Sequence, residues 1–168
     1  ERLKLTVKGD FADQIPSDKS NLILTAAELL KGLNNVTAGA HITLTKNLPP
    51  SAGLGGGSSD AAAAIRGLSR LWKTDLPEVE HLVKIGSDLP VCINQKTQHM
   101  KGCGEVLKII NTFPNLPILL VNPLKKVSTQ AVFQKLKNKQ NSPLPKYEKL
   151  SQTKKDWITW LSSQRNDL

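Results

Sequence analysis

The stretch Pro49-Pro50-Ser51-Ala52-Gly53-Leu54-Gly55-Gly56-Gly57-Ser58-Ser59-Asp60 places four glycines within five positions, so the main-chain N–H groups there are bare of side chains. Glycine permits the positive φ values that turn successive N–H groups inward and make a concave nest for an anion. Asp60 to Trp72 reads as a helix, with Ser58 or Ser59 as its N-cap. A glycine nest feeding a helix start is a physical site for phosphate, because unpaired donors and the helix dipole act together. A Walker loop is excluded, since no lysine lies between Lys46 and Lys73. The dinucleotide fingerprint fits poorly: Asp75 stands at about the right distance, but Pro49-Pro50 interrupts the lead-in from the strand. On residue types alone, a connector that merely lets a strand turn into a helix remains the alternative.

A second stretch, Gly86-Ser87-Asp88-Leu89-Pro90-Val91-Cys92-Ile93, fixes its backbone with Gly and Pro and leaves an aspartate free to project into a cleft. It reads as a helix-to-strand turn, and an Asx-turn in which Asp88 bonds its own backbone is the competing interpretation. Gly102-Cys103-Gly104-Glu105 follows as a tight turn entering a strand. His41 reads as an exposed strand residue and His81 as a residue of a helix.

These groups need elements to hold them. Arg2 to Lys8 and Ala40 to Lys46 alternate apolar and polar residues as half-buried strands do. Between them, Gly9 to Asp18 reads as a loop. Ser20 caps a helix from Asn21 to Leu30 that ends near Gly32, and Asn21 in its first turn is a capping partner. A further helix is expected over Asp75 to Ile85, with Pro77 in its first turn and Gly86 as its stop. Pro117 to Pro123 reads as an apolar strand of a central sheet, Gln130 to Leu136 as a helix, and Lys154 to Ser163 as an amphipathic helix packed through Trp157 and Leu161. Lys137 to Lys149 reads as a basic connection, and a boundary between lobes is expected at residues 111–116.

The 168 residues suit one domain, or one and part of another. Their apolar runs are too short to span a membrane. The formal charge of +9 lies almost wholly in residues 101–168, which hold 12 basic and 4 acidic side chains. A solvated lysine-rich face accounts for that excess; an RNA-binding module, whose affinity would fall steeply with salt, is the alternative from another class. Cys92 and Cys103 lack metal-ligand spacing and disulfide density, which points to reduced thiols in the cytoplasm. Oligomeric state has no signature here.

The string from Pro49 to Ala62 resembles the phosphate loop of the GHMP small-molecule kinases. Further segments resemble the same family: Phe11 to Pro16 with Asn21 to Leu24, Leu44 to Pro49, Gly86 to Val91, Lys101 to Glu105, Asn122-Pro123, Ser128-Thr129 with Phe133, and Asn166 to Leu168. The triple glycine before Ser-Ser-Asp is closest to the branch acting on a cytidine-diphosphate sugar alcohol in the non-mevalonate isoprenoid pathway. Homoserine, mevalonate or galactose kinases are the alternatives within the fold. The resemblance implies an α+β fold of two lobes. Residues 1–112 would be a ribosomal-protein-like, ATP-binding lobe, and 113–168 the start of a ferredoxin-like lobe. It implies ATP and Mg²⁺, with Asp88 as catalytic base. Pro49, Pro50, Ser51, Ala52, Gly53, Leu54, Gly55, Gly56, Gly57, Ser58 and Ser59 would hold the nucleotide phosphates, and Ser59 would lie nearest Mg²⁺. Asn21 and Lys46 would contact adenine, and Thr129 and Phe133 the substrate, with no nucleic-acid or membrane partner. The family's opening Pro-x-Lys-x-Asn-Leu and Gly-Tyr-His segments and its late glycine-rich motif are not found. An internal fragment, a poor catalyst by itself, is therefore expected.

Overall fold

The computed structural model describes residues 2–123, 127–138, 141–147 and 153–167, with the side chains of residues 129 and 130 outside the description. Lys125, Lys126, Lys139 and Lys149 of the expected basic stretches, and Leu168 at the end, lie outside the described residues. The chain divides into two compact units, Glu1–Ile109 and Ile110–Leu168.

The first unit runs β1 (Leu3–Lys8), a 3₁₀ turn (Ala12–Gln14), α1 (Leu22–Leu33), β2 (Ala40–Thr45), α2 (Gly56–Trp72), α3 (Val79–Ile85), α4 (Leu89–Asn94), β3 (Gln98–Lys101) and β4 (Val106–Ile109). β1 and β2 pair in parallel from Leu3↔Ala40 to Lys8↔Thr45, the pairing that a helical crossover such as α1 allows. Helix α1 is the centre of the unit. One side lays Ile23 and Leu24 on Leu5, with Val7, Ile42 and Leu44 around them. Ala27 and Leu30 meet Leu68 of α2 beside Leu3 and Ala40. Ala26 meets Ala61, Ala62 and Ile65 of α2, with Leu82 of α3 and Leu89 of α4. Small side chains at the α1–α2 contact let the two helices approach closely, so the start of α2 is set by packing rather than by a cap. Removing Leu30, fully buried, is worth about 2–5 kcal/mol by the usual cost of a core Leu→Ala change.

Several boundaries differ from expectation for identifiable reasons. Asn21, not Ser20, caps α1: its side chain accepts from Ile23 N, while Ser20 donates its hydroxyl and main-chain N–H to Asp18. Helix α2 begins at Gly56, with Gly55 in the cap position rather than Ser58 or Ser59. Helix α3 begins only at Val79, and Pro77 is buried ahead of it. Pro90 to Ile93 is not a strand. It lies in the short helix α4, with Pro in its first turn, where a missing N–H costs nothing. β3 and β4 form an antiparallel hairpin, Gln98↔Ile109 to Lys101↔Val106, closed by the Gly102–Glu105 turn.

In the second unit, Ser128 caps α5 (Thr129–Lys135) and Thr153 caps α6 (Lys154–Ser162). Trp157 is buried, its ring 4.8 Å from Phe113 and 5.8 Å from Trp160, with Tyr147 at 6.0 Å. The expected strand over 117–123 is absent: Ile118, Leu119, Leu120 and Val121 are 77, 88, 61 and 85 % exposed. A strand requires a ladder partner, and none stands beside this run among the described residues.

Candidate active site

The glycine stretch is a turn built on alternation. Ser51, Gly53 and Gly55 have φ of 57°, 71° and 64°, while Ala52 and Leu54 between them do not enter the left-handed region. Alternating hands of this kind direct consecutive main-chain N–H groups to one side of the turn. Gly55 then starts α2 without any side-chain cap. Ser59 N bonds Gly55 O at 2.9 Å, so the N–H groups of Gly56, Gly57 and Ser58 precede the first helical bond. Three donors and the positive helix end are thus left for an external anion.

Asp88 stands beside this helix start. A Cβ built on Gly55 would lie 3.7 Å from Asp88 Oδ2, and one built on Gly86 would lie 4.0 Å from Ser58 Oγ. Asp88 itself occupies the cap position of α4, yet its side chain makes no capping bond. The Asx-turn alternative therefore fails, and the carboxylate is free to act on something else. Its setting is rigid because the C-terminal carbonyls of α4 are bound from outside. Arg66 Nη1 donates to Cys92 O at 2.9 Å, and Gln98 Nε2 donates to Val91 O at 3.0 Å. Burial first, then the negative charge of Asp88, push the Cys92 thiol up, and Arg66 opposes them.

Lys46 directly follows β2 and leads the chain toward the turn. Its main chain is pinned by Lys8 O at 2.7 Å and by Phe11 N at 3.1 Å. Its side chain is buried and pairs with Asp60 Oδ2 at 2.6 Å. A Cβ on Gly56 would meet Lys46 Nζ at 3.2 Å, so the ammonium lies directly under the helix start. Lys46 and Asp60 border a cleft of about 250 Å³ together with Asn21, Pro16, Leu44, Pro50, Ser51 and Gly57. The Asn21 amide is already engaged, accepting from Ile23 N and donating to Pro16 O at 2.6 Å. A larger open groove of about 1120 Å³ along β1 and α1 shares no lining residue with this cleft.

The structure thus brings the glycine turn, Lys46, Asn21 and Asp88 into one region of the first unit. Pro49 and Pro50 lead into the turn, and Leu54 is half exposed. Ser59 is exposed in the first turn of α2, and Ser58 is the serine that faces Gly86. Hydroxyl and carboxylate oxygens are hard donors of the type Mg²⁺ takes alongside phosphates. No cluster of three His, Cys, Asp or Glu side chains occurs among the described residues. Phe133 lies on α5 of the second unit, 51 % exposed. Thr129 opens the same helix, but its side chain falls outside the described residues. Sequence reasoning missed Arg66, Asp60, Gln98 and Gly104 as supports. Only Arg66 offered a signal, being a cation directly after the buried Ile65.

Residues 21–102 match the GHMP kinases N terminal domain. The chain is 41% identical over 172 residues to a 4-diphosphocytidyl-2-C-methyl-D-erythritol kinase of Ruegeria pomeroyi, covering 100% of this chain and 59% of that protein. A kinase of the same name from Rhizobium etli is 41% identical over 97% of this chain and 56% of its own length. The crystal structure of a 4-(cytidine 5'-diphospho)-2C-methyl-D-erythritol kinase superposes with a TM-score of 0.59 at 27% identity, covering 85% of this chain and 52% of that one. The chain therefore spans a little over half the length of these relatives. No described helix is long and apolar enough to cross a membrane. The phosphate-type turn and the free aspartate beside it both lie within residues 21–102, the stretch that is similar to the GHMP kinases N terminal domain.

Proposed function

We propose that the chain is the nucleotide-binding part of an ATP-dependent kinase that phosphorylates the 2-hydroxyl of 4-diphosphocytidyl-2-C-methyl-D-erythritol, a step of non-mevalonate isoprenoid synthesis in the cytoplasm. The observation that carries it is the free Asp88 carboxylate, 3.7 Å from the position of a Cβ on Gly55, at an uncapped helix start. Phosphoryl transfer asks for positioning and charge neutralisation more than covalent chemistry. A free carboxylate beside open main-chain donors supports the reading on both counts.

In this reading, residues 49–59 wrap the ATP phosphates, whose oxygens accept from the N–H groups of Gly56, Gly57 and Ser58. Asp88 takes the proton of the acceptor hydroxyl as its oxygen attacks the γ-phosphorus, and ADP leaves. Lys46 adds positive charge beneath the helix start. It also borders the cleft with Asn21, which suits the adenine base; each Asn21 amide atom retains one unused hydrogen-bonding position beyond those that cap α1. Mg²⁺ would be held by phosphate oxygens with the exposed Ser59 hydroxyl as this chain's donor, and it supplies charge neutralisation. Thr129 and Phe133 of the second unit would contact the acceptor, Phe133 by stacking on cytosine. Residues 1–112 then serve as the ATP lobe and 113–168 as part of the acceptor lobe.

The test is turnover by the protein at its full gene length. ATP with the cytidyl acceptor is expected to give ADP and a new phosphomonoester in ³¹P NMR, whereas homoserine, mevalonate and galactose are not consumed. Consumption of one of those three in place of the cytidyl acceptor would reject the substrate assignment.

A further inference from the structure

We propose that Gly104, at the tip of the β3–β4 hairpin, is a positioning residue for Asp88. The inference rests on the reading of Asp88 given above, and it concerns how that carboxylate is kept in place. Within residues 98–109, Gly104 is the one buried position; every other residue of the hairpin is exposed or half-buried. Its α-carbon lies flat against the main chain of Ser87, the residue before Asp88. A Cβ built there would come within 2.1 Å of Ser87 O, 3.0 Å of Ser87 C and 3.3 Å of Ser87 Cα. The obstacle is main chain, so no side-chain rotation relieves it.

The turn carrying Asp88 cannot retreat as a body. Its far end is tied through Arg66 to Cys92 O and through Gln98 to Val91 O. On its other side, Gly86 and Asp88 face Ser58 and Gly55 at the start of α2. A push on the Ser87 carbonyl must therefore rotate the Ser87–Asp88 peptide plane, because that plane is stiff. The Asp88 carboxylate then turns relative to Gly55. A misplacement of about 1 Å at a reacting group costs on the order of 10²-fold in rate.

Gly102 supplies the control within the same turn. It too is left-handed, with φ of 68° against 109° at Gly104. The nearest atoms a Cβ on Gly102 would meet belong to the carboxylate of Glu105. That carboxylate is the end of an exposed side chain, accepts from Cys103 N at 2.6 Å and can swing outward at the cost of that one bond. Alanine at either position strains the hairpin, but alanine at Gly104 alone presses on the aspartate's turn.

The experiment measures kcat and the KM for ATP in Gly104→Ala, Gly102→Ala and Asp88→Asn, each in the protein at full gene length. Gly104→Ala is expected to lower kcat at least about tenfold with the KM for ATP within about twofold, while Gly102→Ala keeps both within about twofold. Equal kcat in the two alanine variants, with Asp88→Asn inactive, overturns the positioning role and leaves the function standing. An Asp88→Asn enzyme at the wild-type rate overturns both. Should Gly104→Ala not fold, Gln98→Ala loosens the hairpin from α4 without inserting an atom. It is expected to lower kcat about threefold or more at unchanged KM, and an unchanged kcat overturns the proposal.

Discussion

Two helix starts of the first unit, those of α1 and α2, border the same cleft and are finished in opposite ways. At α1 the chain closes its own end: Asn21 accepts from Ile23 N and donates to Pro16 O, and its side chain is buried. At α2 the cap position holds Gly55, left-handed and without a side chain to offer, and the next residues are Gly56 and Gly57. A helix end that satisfies itself contributes stability and has little left for a ligand. An end left open forgoes that stability and keeps donors aimed outward. α2 can remain open because packing holds it. Ala61, Ala62 and Ile65 are fully buried against α1, α3 and α4. Open donors on a rigid helix are available to an anion, whereas the donors beside them are spent first on closing the fold.

The contrast can be broken most forcefully at Asp88. Asp88→Asn is expected to lower kcat by roughly 10²–10⁴, the usual worth of a general base, with ATP affinity within about twofold. Steady-state turnover together with a nucleotide titration checks both parts, and an unchanged kcat removes Asp88 from the chemistry. Next in size is Gly56→Val, which places a branched side chain against Lys46 Nζ and over the open donors. ATP affinity should weaken by about tenfold or more, a loss of about 1.4 kcal/mol. Calorimetric binding that is indifferent to the change would make the turn a connector only.

At the closed end the effect moves from binding to stability. Asn21→Ala should cost about 1 kcal/mol of folding stability, read as a fall in Tm of about 2–4 °C. ATP affinity should suffer less than in Gly56→Val, and the reverse ranking would mean that the two helix starts share one role.

The smallest effect uses Cys92 as a reporter. Burial and the Asp88 charge raise the folded thiol's pKa, so the native state holds its proton more tightly than the unfolded chain. That contribution to stability is complete below the unfolded pKa and is lost as pH rises through the folded value. Near pH 8, Cys92 should alkylate more slowly than the exposed Cys103. Asp88→Asn should then speed Cys92 by a few-fold, because one cause of the upward shift is gone. Identical rates at Cys92 with and without the Asp88 charge would contradict the proximity.

What was legible in the sequence was what the chain encodes locally. Glycine spacing announced left-handed turns at Gly53 and Gly55, and alternation gave β1 and β2 within a residue. Small errors arose where two local signals competed. Ser58 and Ser59 have cap chemistry, but Gly55 takes the position because α2 is placed by its buried alanines. Val91-Cys92-Ile93 has the composition of a strand, but Pro90 in a first turn and the burial of Leu89 make it helix. Of the supports of the site, only Arg66 left a trace in the sequence, and its partner did not. Asp60 finds Lys46 across the glycine turn, Arg66 finds Cys92 O on another helix, and Gly104 finds Ser87 on another element. Nothing in the spacing of such pairs encodes the contact; only the folded chain does. The run at 118–121 shows the same limit from the other side, since strand propensity without a partner yields no strand.

The most direct measurement is an ATP·Mg²⁺ titration of the ¹⁵N-labelled protein at full gene length, followed through its main-chain amide resonances. The largest shifts are expected at Gly55, Gly56, Gly57 and Ser58, with the amides at the start of α1 moving less. Saturable ATP binding that leaves those four amides unmoved would contradict the assignment of the glycine turn as the phosphate site.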